Sequence, residues 1–408
     1  MIHLFYGNRQ QFRLRHGDIN ILGRTNASLP VKRSQYRLND ATPIHFYIEP
    51  EAPLEEGKYA WDCNTPSIFR LRDCPGSFNI EIPVDSPILQ EGWNRVTIEI
   101  EDPDGTVGRL AAEFHWNACP LALPIHLTDF SSYESIQEIG QVVNGLFEID
   151  RQRNSIVSCK PVGADILLLL GSPGESQEAT YDVEFDLRDS SGKEYAGLSD
   201  FFARHEEQSP GLGIKPGYCT SGLSTISPTG EAKLWMAIGD CLTDKDWAWV
   251  IHTENASHFL IQSGTVYRVR HQVIIHNGVN WSRYKIWKKD DEEPDGWLCD
   301  MDNAHLKSNL PRIYKASFGL FQFGGNPTSW SNISVRRLEL TPEILTELVF
   351  KKAYRSIQRK RVELYTERIM RRAKNLFRKI SCFVQSRQVT LYHEKNNENS
   401  KNIFNKNI

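Results

Sequence analysis

The fold is decided by short alternating segments, Tyr267-Arg-Val-Arg-His-Gln-Val-Ile-Ile-His276, Trp281-Ser-Arg-Tyr-Lys-Ile-Trp287 and Gly319-Leu-Phe-Gln-Phe. The last of these runs on, through Gly-Gly-Asn-Pro-Thr-Ser, to Trp330-Ser-Asn-Ile-Ser-Val335. Apolar and polar residues alternate with a period of two, which is typical of half-buried β-strands. Polar turns such as Glu293-Pro-Asp-Gly separate them. The region therefore predicts antiparallel strands joined by turns.

The order of these strands, ending in a strand that carries the Trp330-Ser-Asn turn, resembles the end of the concanavalin A-like lectin/glucanase (laminin-G-like) jelly roll. The resemblance implies an all-β domain over 146–340 and a carbohydrate ligand. It does not imply an activity, because one fold hosts many functions.

Two segments upstream fit the same domain. Residues 164–171 contain the continuous apolar run 166–170, which predicts a strand buried on both faces. Residues 180–188 alternate strictly and place Tyr181, Val183 and Phe185 on one side. Many short strands in one stretch favour a single large sandwich over two small ones.

Residues 1–118 predict a separate immunoglobulin-like β-sandwich. Ser77-Phe-Asn-Ile-Glu-Ile-Pro83 and Arg95-Val-Thr-Ile-Glu-Ile-Glu101 alternate, and Asp102-Pro-Asp-Gly105 forms a tight turn. The run from Leu89 through this turn resembles bacterial immunoglobulin-like domains. Residues 119–145 are expected to form a connector.

Residues 341–386 predict a basic amphipathic helical segment, and 387–408 an Asn-rich disordered tail. From 341 onward there are 16 basic and 6 acidic residues, a net charge of +10, whereas the preceding 340 residues carry 32 and 45, or −13. The segment is expected to contact a protein partner or an anionic membrane surface. A solvated or self-packed helix is the alternative, and no nucleic acid is expected, because no aromatics interleave the basic face.

The N-terminus carries no basic segment followed by an apolar one, and the longest apolar run, 166–170, is too short to span a bilayer. We therefore expect a cytoplasmic protein, either free or membrane-peripheral. Neither Cys-x-x-Cys nor His-Glu-x-x-His occurs, so the sequence does not indicate a zinc site.

Asp182, Glu184 and Asp186 share one face of one strand and are the catalytic candidates. Glycosidases use two carboxyl groups about 5–9 Å apart, and residues i and i+2 of a strand meet that spacing. The order differs from the Glu-x-Asp-x-x-Glu strand of glucanases in the resembling superfamily. The alternative is the solvated side of a half-buried strand.

Trp247, Trp249 and Trp287 are the candidate ligand-binding residues, because the C–H face of a sugar ring packs on an indole. Trp235, Trp281 and Tyr284 lie on neighbouring predicted strands. The alternative is that these rings fill the space between two sheets.

Calcium is the one cofactor for which the sequence offers candidate ligands. Asp240, Asp244 and Asp246 share a loop whose oxygens could hold Ca²⁺, and a second group comprises Asp295, Asp300, Asp302 and Asn303. Their spacing fits no EF-hand, and the alternative is a solvated loop.

Three functions remain open on the sequence. The first is a non-catalytic glycan-binding protein, and the second is a glycoside hydrolase or polysaccharide lyase that uses Asp182, Glu184 or Asp186. The third is a structural scaffold whose basic helical tail binds a membrane surface or a partner.

Overall fold

A computed structural model describes most of the chain. The described ranges are 2–15, 17–49, 75–119, 121–159, 165–170, 176–187, 195–202, 218–224, 227–239, 249–276, 279–302, 317–323 and 326–350, with the single residues 360, 365, 368 and 370. The described elements are almost all β-strands, which confirms the all-β prediction.

The N-terminal sandwich consists of a three-stranded and a five-stranded sheet. The first sheet runs, in spatial order, β1 (Ile2–Tyr6), β3 (Asp18–Thr25) and β6 (Ser77–Pro83). The second runs β2 (Gln11–Phe12), β8 (Val107–Trp116), β7 (Gly92–Glu101), β4 (Arg33–Leu38) and β5 (Ile44–His45). Neighbouring strands are antiparallel except for β2 and β8.

Strand β7 shows why the alternating sequence folds in this way. Val96, Ile98 and Ile100 point into the core between the two sheets, while the residues between them face outward. The predicted turn closes as expected, since the Gly105 N–H donates to the carbonyl of Asp102.

The larger sandwich also has two sheets. Its seven-stranded sheet runs β10 (Gln141–Asn144), β13 (Asp165–Leu169), β22 (Ser317–Phe323), β15 (Tyr195–Phe202), β16 (Tyr218–Ser224), β17 (Glu231–Gly239) and β18 (Trp249–Leu260). Its eight-stranded sheet runs β11 (Phe147–Asp150), β12 (Ser155–Ser158), β23 (Thr328–Arg337), β14 (Gln177–Phe185), β19 (Val266–His276), β20 (Val279–Lys288) and β21 (Cys299–Asp302), with β9 (Ile125–Leu127) paired to β23. A 3-10 helix spans Ile136–Glu138.

Strand β14 confirms the predicted alternation and corrects one detail. Tyr181, Val183 and Phe185 enter the core of the larger sandwich. Asp182, on the opposite side, is only 1% exposed, because side chains from neighbouring strands cover it, so the alternative of a solvated face does not hold for this residue. The Trp330-Ser-Asn sequence lies within β23, at an irregularity in the strand register where Asn332 has a φ of 49°.

Residues 1–339 form one compact unit, because the two sandwiches share core residues. Val143 and Phe321 of the larger sandwich belong to the N-terminal core, and Tyr6 and Leu22 belong to the larger core. The Tyr6 hydroxyl donates to the Phe147 carbonyl at 2.9 Å and accepts from its N–H at 2.8 Å. Strands β9 and β10 arise from the predicted connector, and the predicted domain boundaries stay a prediction.

Residues 340–408 form a second unit. Residues 342–350 are helical, and Thr341 is their N-cap: its carbonyl accepts the first helical bond from the Leu345 N–H at 3.0 Å, and its Oγ1 accepts from the Ile344 N–H at 3.5 Å. The rest of the predicted segment lies outside the described residues, apart from helical positions 360, 365, 368 and 370, and so does the tail 387–408. Among the described residues, no helix is both long and apolar enough to cross a membrane.

Candidate functional site

The outer face of the eight-stranded sheet carries a row of polar side chains that crosses five neighbouring strands. Strand register places these residues side by side: Arg336, Glu178, Gln272, Arg283 and Asp300. Directly opposed side chains on antiparallel strands lie close enough to interact. We call this set the polar row.

Hydrogen bonds connect the polar row. Arg336 donates through Nε at 2.9 Å and Nη2 at 2.6 Å to Glu178 Oε1, and Gln272 donates to the other oxygen of the same carboxylate. Arg283 Nε then donates to Gln272 Oε1 at 2.8 Å. The hydrogen bond to Gln272 therefore fixes the orientation of the Arg283 guanidinium.

Arg283 lies between two tryptophan rings. Its Cζ is 4.3 Å from the centroid of Trp281 and 4.4 Å from that of Trp297. Trp281 is fully buried and donates through its indole N–H to Asp300, whereas Trp297 is only half-buried. A guanidinium over an indole face is attracted by the negative face of the ring, by about 0.5–2 kcal/mol depending on solvation.

The segment that carries Trp297 is tied to the sheet by charged groups. Lys285 Nζ is 5.0 Å from the Trp297 centroid, and it donates to the Pro294 carbonyl and to Glu293 Oε1, each at 2.7 Å. Arg270 donates to the other oxygen of Glu293 at 2.9 Å. These contacts hold Trp297 in one place, with part of its ring open to solvent.

A second charged cluster surrounds Asp182 on the same face. Arg268 donates to both carboxylate oxygens, at 2.8 and 3.2 Å, and Lys289 Nζ lies 3.0 Å from Oδ2. Burial raises the pKa of Asp182, but the hydrogen bonds and charges of Arg268 and Lys289 outweigh burial, so the pKa lies below its usual value. Asp182 is therefore an ionised carboxylate at neutral pH.

Glu178 behaves in the same way. Burial raises its pKa, and the hydrogen bonds from Gln272 and Arg336 with the charge of Arg270 lower it further than burial raises it. The two most deeply buried acids of this face are thus held in the charged state, which is the opposite of what a general acid requires.

The other catalytic candidates occupy the end of β14 and the residue next after it. Glu184 is half-buried and pairs with Val266, and Asp186 is half-buried just after the strand. The three candidates therefore lie close together in sequence but in different environments. Asp182 is enclosed by cations, whereas Glu184 and Asp186 are partly exposed to solvent.

The predicted stacking residues are not brought together in the described part of the chain. Trp287 lies on the outer face beside Arg268 and is 8% exposed, so its ring offers little surface to a ligand. Trp249 is the first residue of β18, described here by its backbone only, and Trp247 lies outside the described residues. Their binding roles stay predictions.

The aromatics expected on neighbouring strands divide between the two faces. Tyr284 is buried in the core, where its hydroxyl donates to the Gly222 carbonyl at 2.8 Å, and Trp281 is on the outer face. Trp297 was absent from the sequence candidates because its motif, Glu293-Pro-Asp-Gly-Trp297, reads as a polar turn. An aromatic residue directly after a turn rich in Asp and Gly was the available signal.

The predicted calcium ligands give no assembled centre among the residues that can be described. Asp240, Asp244, Asp246 and Asn303 lie outside those residues, and Asp302 is described by its backbone as the end of β21. Asp295 is exposed in the turn, and Asp300 accepts from Trp281. Within the described ranges, no group of three or more His, Cys, Asp or Glu side chains is arranged to hold a metal ion.

No protein-family model and no curated protein matches the chain. Among solved structures it is similar to a bifunctional GH43-CE protein of Bacteroides eggerthii, with 11% identity and a TM-score of 0.36 over 64% of this chain and 39% of that one. It is also similar to lectin II from Ulex europaeus, with 10% identity and a TM-score of 0.32 over 53% of this chain and 99% of the lectin.

A third similar structure is described as the basis for promiscuous specificity of carbohydrate-binding modules from the β-sandwich superfamily. It has 8% identity and a TM-score of 0.17, over 83% of this chain and 98% of that one. Likeness at these values does not establish a function. The class defined by the fold is therefore an all-β protein built from β-sandwiches.

Proposed function

We propose that this chain is a non-catalytic carbohydrate-binding protein, and that Trp297 stacks on a sugar ring. The observation that carries the proposal is the half-buried indole of Trp297, held by Arg283 and Lys285 over the polar row. A fixed, partly solvated indole gives a flat apolar surface for the C–H face of a sugar. The cations and carboxylates around it supply hydrogen-bond partners for hydroxyl groups.

Two features favour binding over cleavage. A glycosidase needs one carboxylic acid that stays protonated near neutral pH, and the pKa of Asp182 is shifted in the opposite direction. Asp182 is also enclosed by Arg268, Lys289 and Asn332 rather than open to a substrate. The hydrolase or lyase alternative therefore depends on Glu184 and Asp186.

The proposal is tested by screening the full chain on a glycan array, as wild type, Trp297→Ala and Trp93→Ala. Trp93 is a matched control because it is a surface tryptophan of the N-terminal sandwich, 64% exposed. We expect selective binding that Trp297→Ala weakens at least tenfold and that Trp93→Ala leaves unchanged. Equal binding by the wild type and Trp297→Ala would contradict the assignment of Trp297.

Trp247, Trp249 and Trp287 remain stacking candidates of the same proposal and belong in the same screen as alanine variants. Calcium is tested by repeating the screen with a chelator. Loss of binding that added Ca²⁺ restores would support a calcium site at Asp240, Asp244 and Asp246.

A second candidate function concerns the start of the C-terminal helix. Val349 and Phe350 are both largely exposed there, and Lys351 and Lys352 follow in sequence. Apolar residues beside lysines are typical of helices that lie on anionic membranes. Deleting 341–408 would then abolish co-flotation with anionic liposomes, and retention of co-flotation by the truncated protein would exclude this function.

A further inference from the structure

Ion pairs on the outer face of the eight-stranded sheet form one network that contains more cations than acids. Three carboxylates each contact two cations, at N–O distances from 2.6 to 3.2 Å: Glu178, Asp182 and Glu293. The cations that they share are Arg268, Arg270, Lys285, Lys289 and Arg336. Because each carboxylate neutralises only one of its two partners, the network carries a net charge of +2.

The excess positive charge lies on the solvent side of this network. Glu178 and Asp182 are at the bottom, with only 2% and 1% of their side chains exposed. Arg336 and Lys289, which bind these two carboxylates, keep 58% and 47% of their side chains exposed. Long basic side chains thus lie over short acidic ones, with their charged ends toward water. A group that approaches from solvent therefore meets guanidinium and ammonium groups before it meets a carboxylate.

The other charged residues near this face show where the positive charge is least opposed. Arg283 and Asp300 are directly opposed on β20 and β21 and balance each other. Glu184 is near the far end of β14 from Glu178. Four exposed acids occupy the turn between β20 and β21: Asp290, Asp291, Glu292 and Asp295. Positive charge is therefore least opposed around Arg336, because β14 and β19 separate its strand, β23, from β20.

Trp297 and Arg336 mark the two ends of a surface that is longer than one sugar ring. Trp297 packs on Arg283 of β20, and Arg336 is three strands away on β23. Neighbouring strands are about 4.8 Å apart, so the span between the two ends is about 14 Å. Glu178 and Gln272 form the floor between them and are bonded to each other. A ligand that contacts both ends is therefore an oligosaccharide that lies across the strands.

We propose that the glycan bound at this face is an acidic oligosaccharide, which stacks one ring on Trp297 and places a carboxylate or sulfate group against Arg336. The inference rests on the proposed function, because it requires Trp297 to bind sugar. A guanidinium suits either anion, since its planar N–H groups match the anion's oxygens. Arg336 donates to Glu178 through Nε and Nη2, and its Nη1 makes no hydrogen bond to the residues that the structure describes.

The test is titration calorimetry of the full chain with two matched pairs of tetrasaccharides. One pair is tetragalacturonate and its methyl ester, and the other is sulfated maltotetraose and maltotetraose. Each pair differs in charge, and comparison of the pairs distinguishes a carboxylate from a sulfate. We expect one acidic member to bind about tenfold more tightly than its neutral partner, because charge-assisted hydrogen bonds are the stronger ones. Raising NaCl from about 0.05 M to about 0.5 M should weaken that binding by screening.

Arg336→Gln should weaken binding of the acidic tetrasaccharide about tenfold and leave that of its neutral partner unchanged. Glu178 keeps its bonds to Arg270 and Gln272 in this variant. Arg336→Lys keeps the charge without the planar fork, so its affinity should be intermediate, and it replaces the first variant if that one does not fold. Arg109→Gln is the matched control, because Arg109 is an exposed arginine that pairs with Glu99 on the five-stranded sheet.

The outcomes separate this inference from the proposed function. If neutral tetrasaccharides bind as tightly as acidic ones and Trp297→Ala weakens both, the acidic class is wrong and the role of Trp297 stands. If Arg336→Gln binds the acidic tetrasaccharide as Arg109→Gln does, the anion is bound elsewhere, such as at the basic residues after 340, and the proposal is overturned. If no glycan binds, here or on the array, both this inference and the proposed function fail.

Discussion

The outer faces of the five-stranded and the eight-stranded sheets come from similar sequences, but their acidic side chains are buried to different extents. Residues 95–101 and 180–187 both alternate apolar and charged residues. On the five-stranded sheet, Glu101 keeps 13% of its side chain exposed and pairs with Lys32 and Arg33, which are largely solvated. On the eight-stranded sheet, only 1% of the Asp182 side chain is exposed.

The difference lies in what neighbouring strands contribute. Asp182 is covered by Arg268 from β19, Lys289 from just beyond β20 and Asn332 from the irregularity in β23. An alternating pattern therefore predicts which face a residue occupies, and the length and charge of residues on adjacent strands decide how deeply it is buried.

The largest effect expected from this contrast is the loss of stability in Asp182→Asn. The substitution leaves two cations beside a neutral amide, and breaking a buried ion pair in this way costs about 3–5 kcal/mol. We expect about 3 kcal/mol, at the low end, because Arg268 and Lys289 are both partly solvated. Urea denaturation of the full chain measures it, and an unchanged midpoint would show that the cluster contributes nothing.

A smaller, pH-dependent effect distinguishes the inner face of the same sheet from its outer face. His271 is buried in the core beside Ser282 Oγ at 2.8 Å, and burial lowers its pKa from 6.5 to about 3. The unfolded chain binds a proton that the folded chain does not, so stability falls as pH drops from about 6.5 toward 3. Because a single proton is involved, the free energy of unfolding changes by at most about 1.4 kcal/mol per pH unit.

Acids with lowered pKa act in a different window. The stabilisation from Asp182 and Glu178 is complete above their usual values of 3.8 and 4.5 and is lost as pH falls below them. His271→Gln should therefore abolish the loss of stability between pH 6.5 and 4.5, and leave unchanged the further loss at lower pH that comes from Asp182 and Glu178. Urea midpoints measured across pH test this, with exposed His3→Gln as control; equal slopes in all three proteins would contradict it.

The smallest effect is expected for Glu101→Gln on the five-stranded sheet. Its partners Lys32 and Arg33 return to solvent, and solvated ion pairs contribute little. The loss should be several-fold below that of Asp182→Asn, and 0.5 M NaCl should reduce it further by screening. A loss equal to that of Asp182→Asn would remove the distinction between the two faces.

The sequence predicts the strands of this protein well, because period-two alternation reports directly on a sheet with two different faces. Ser77–Pro83, the 95–101 segment within β7 and the start of the C-terminal helix at Thr341 agree with the structure. The strand register is what the sequence does not reveal, since it depends on pairing between residues far apart along the chain.

The polar row shows the consequence for the candidate site. Glu178 and Arg336 are 158 residues apart, and no local pattern indicates that they meet. Trp297 follows a turn motif, so its packing against Arg283 depends on how the turn folds back onto β20. The residues proposed for binding are thus assembled by tertiary contacts.

The central claim is that the outer face of the eight-stranded sheet binds a glycan without cleaving it, and one measurement tests it most directly. The full chain is incubated with each glycan that it selects on the array, and the recovered glycan is analysed by mass spectrometry, with Glu184→Gln in parallel. The account predicts intact glycan and equal binding by both proteins. Shortened or unsaturated products that disappear in Glu184→Gln would contradict it and establish an enzyme.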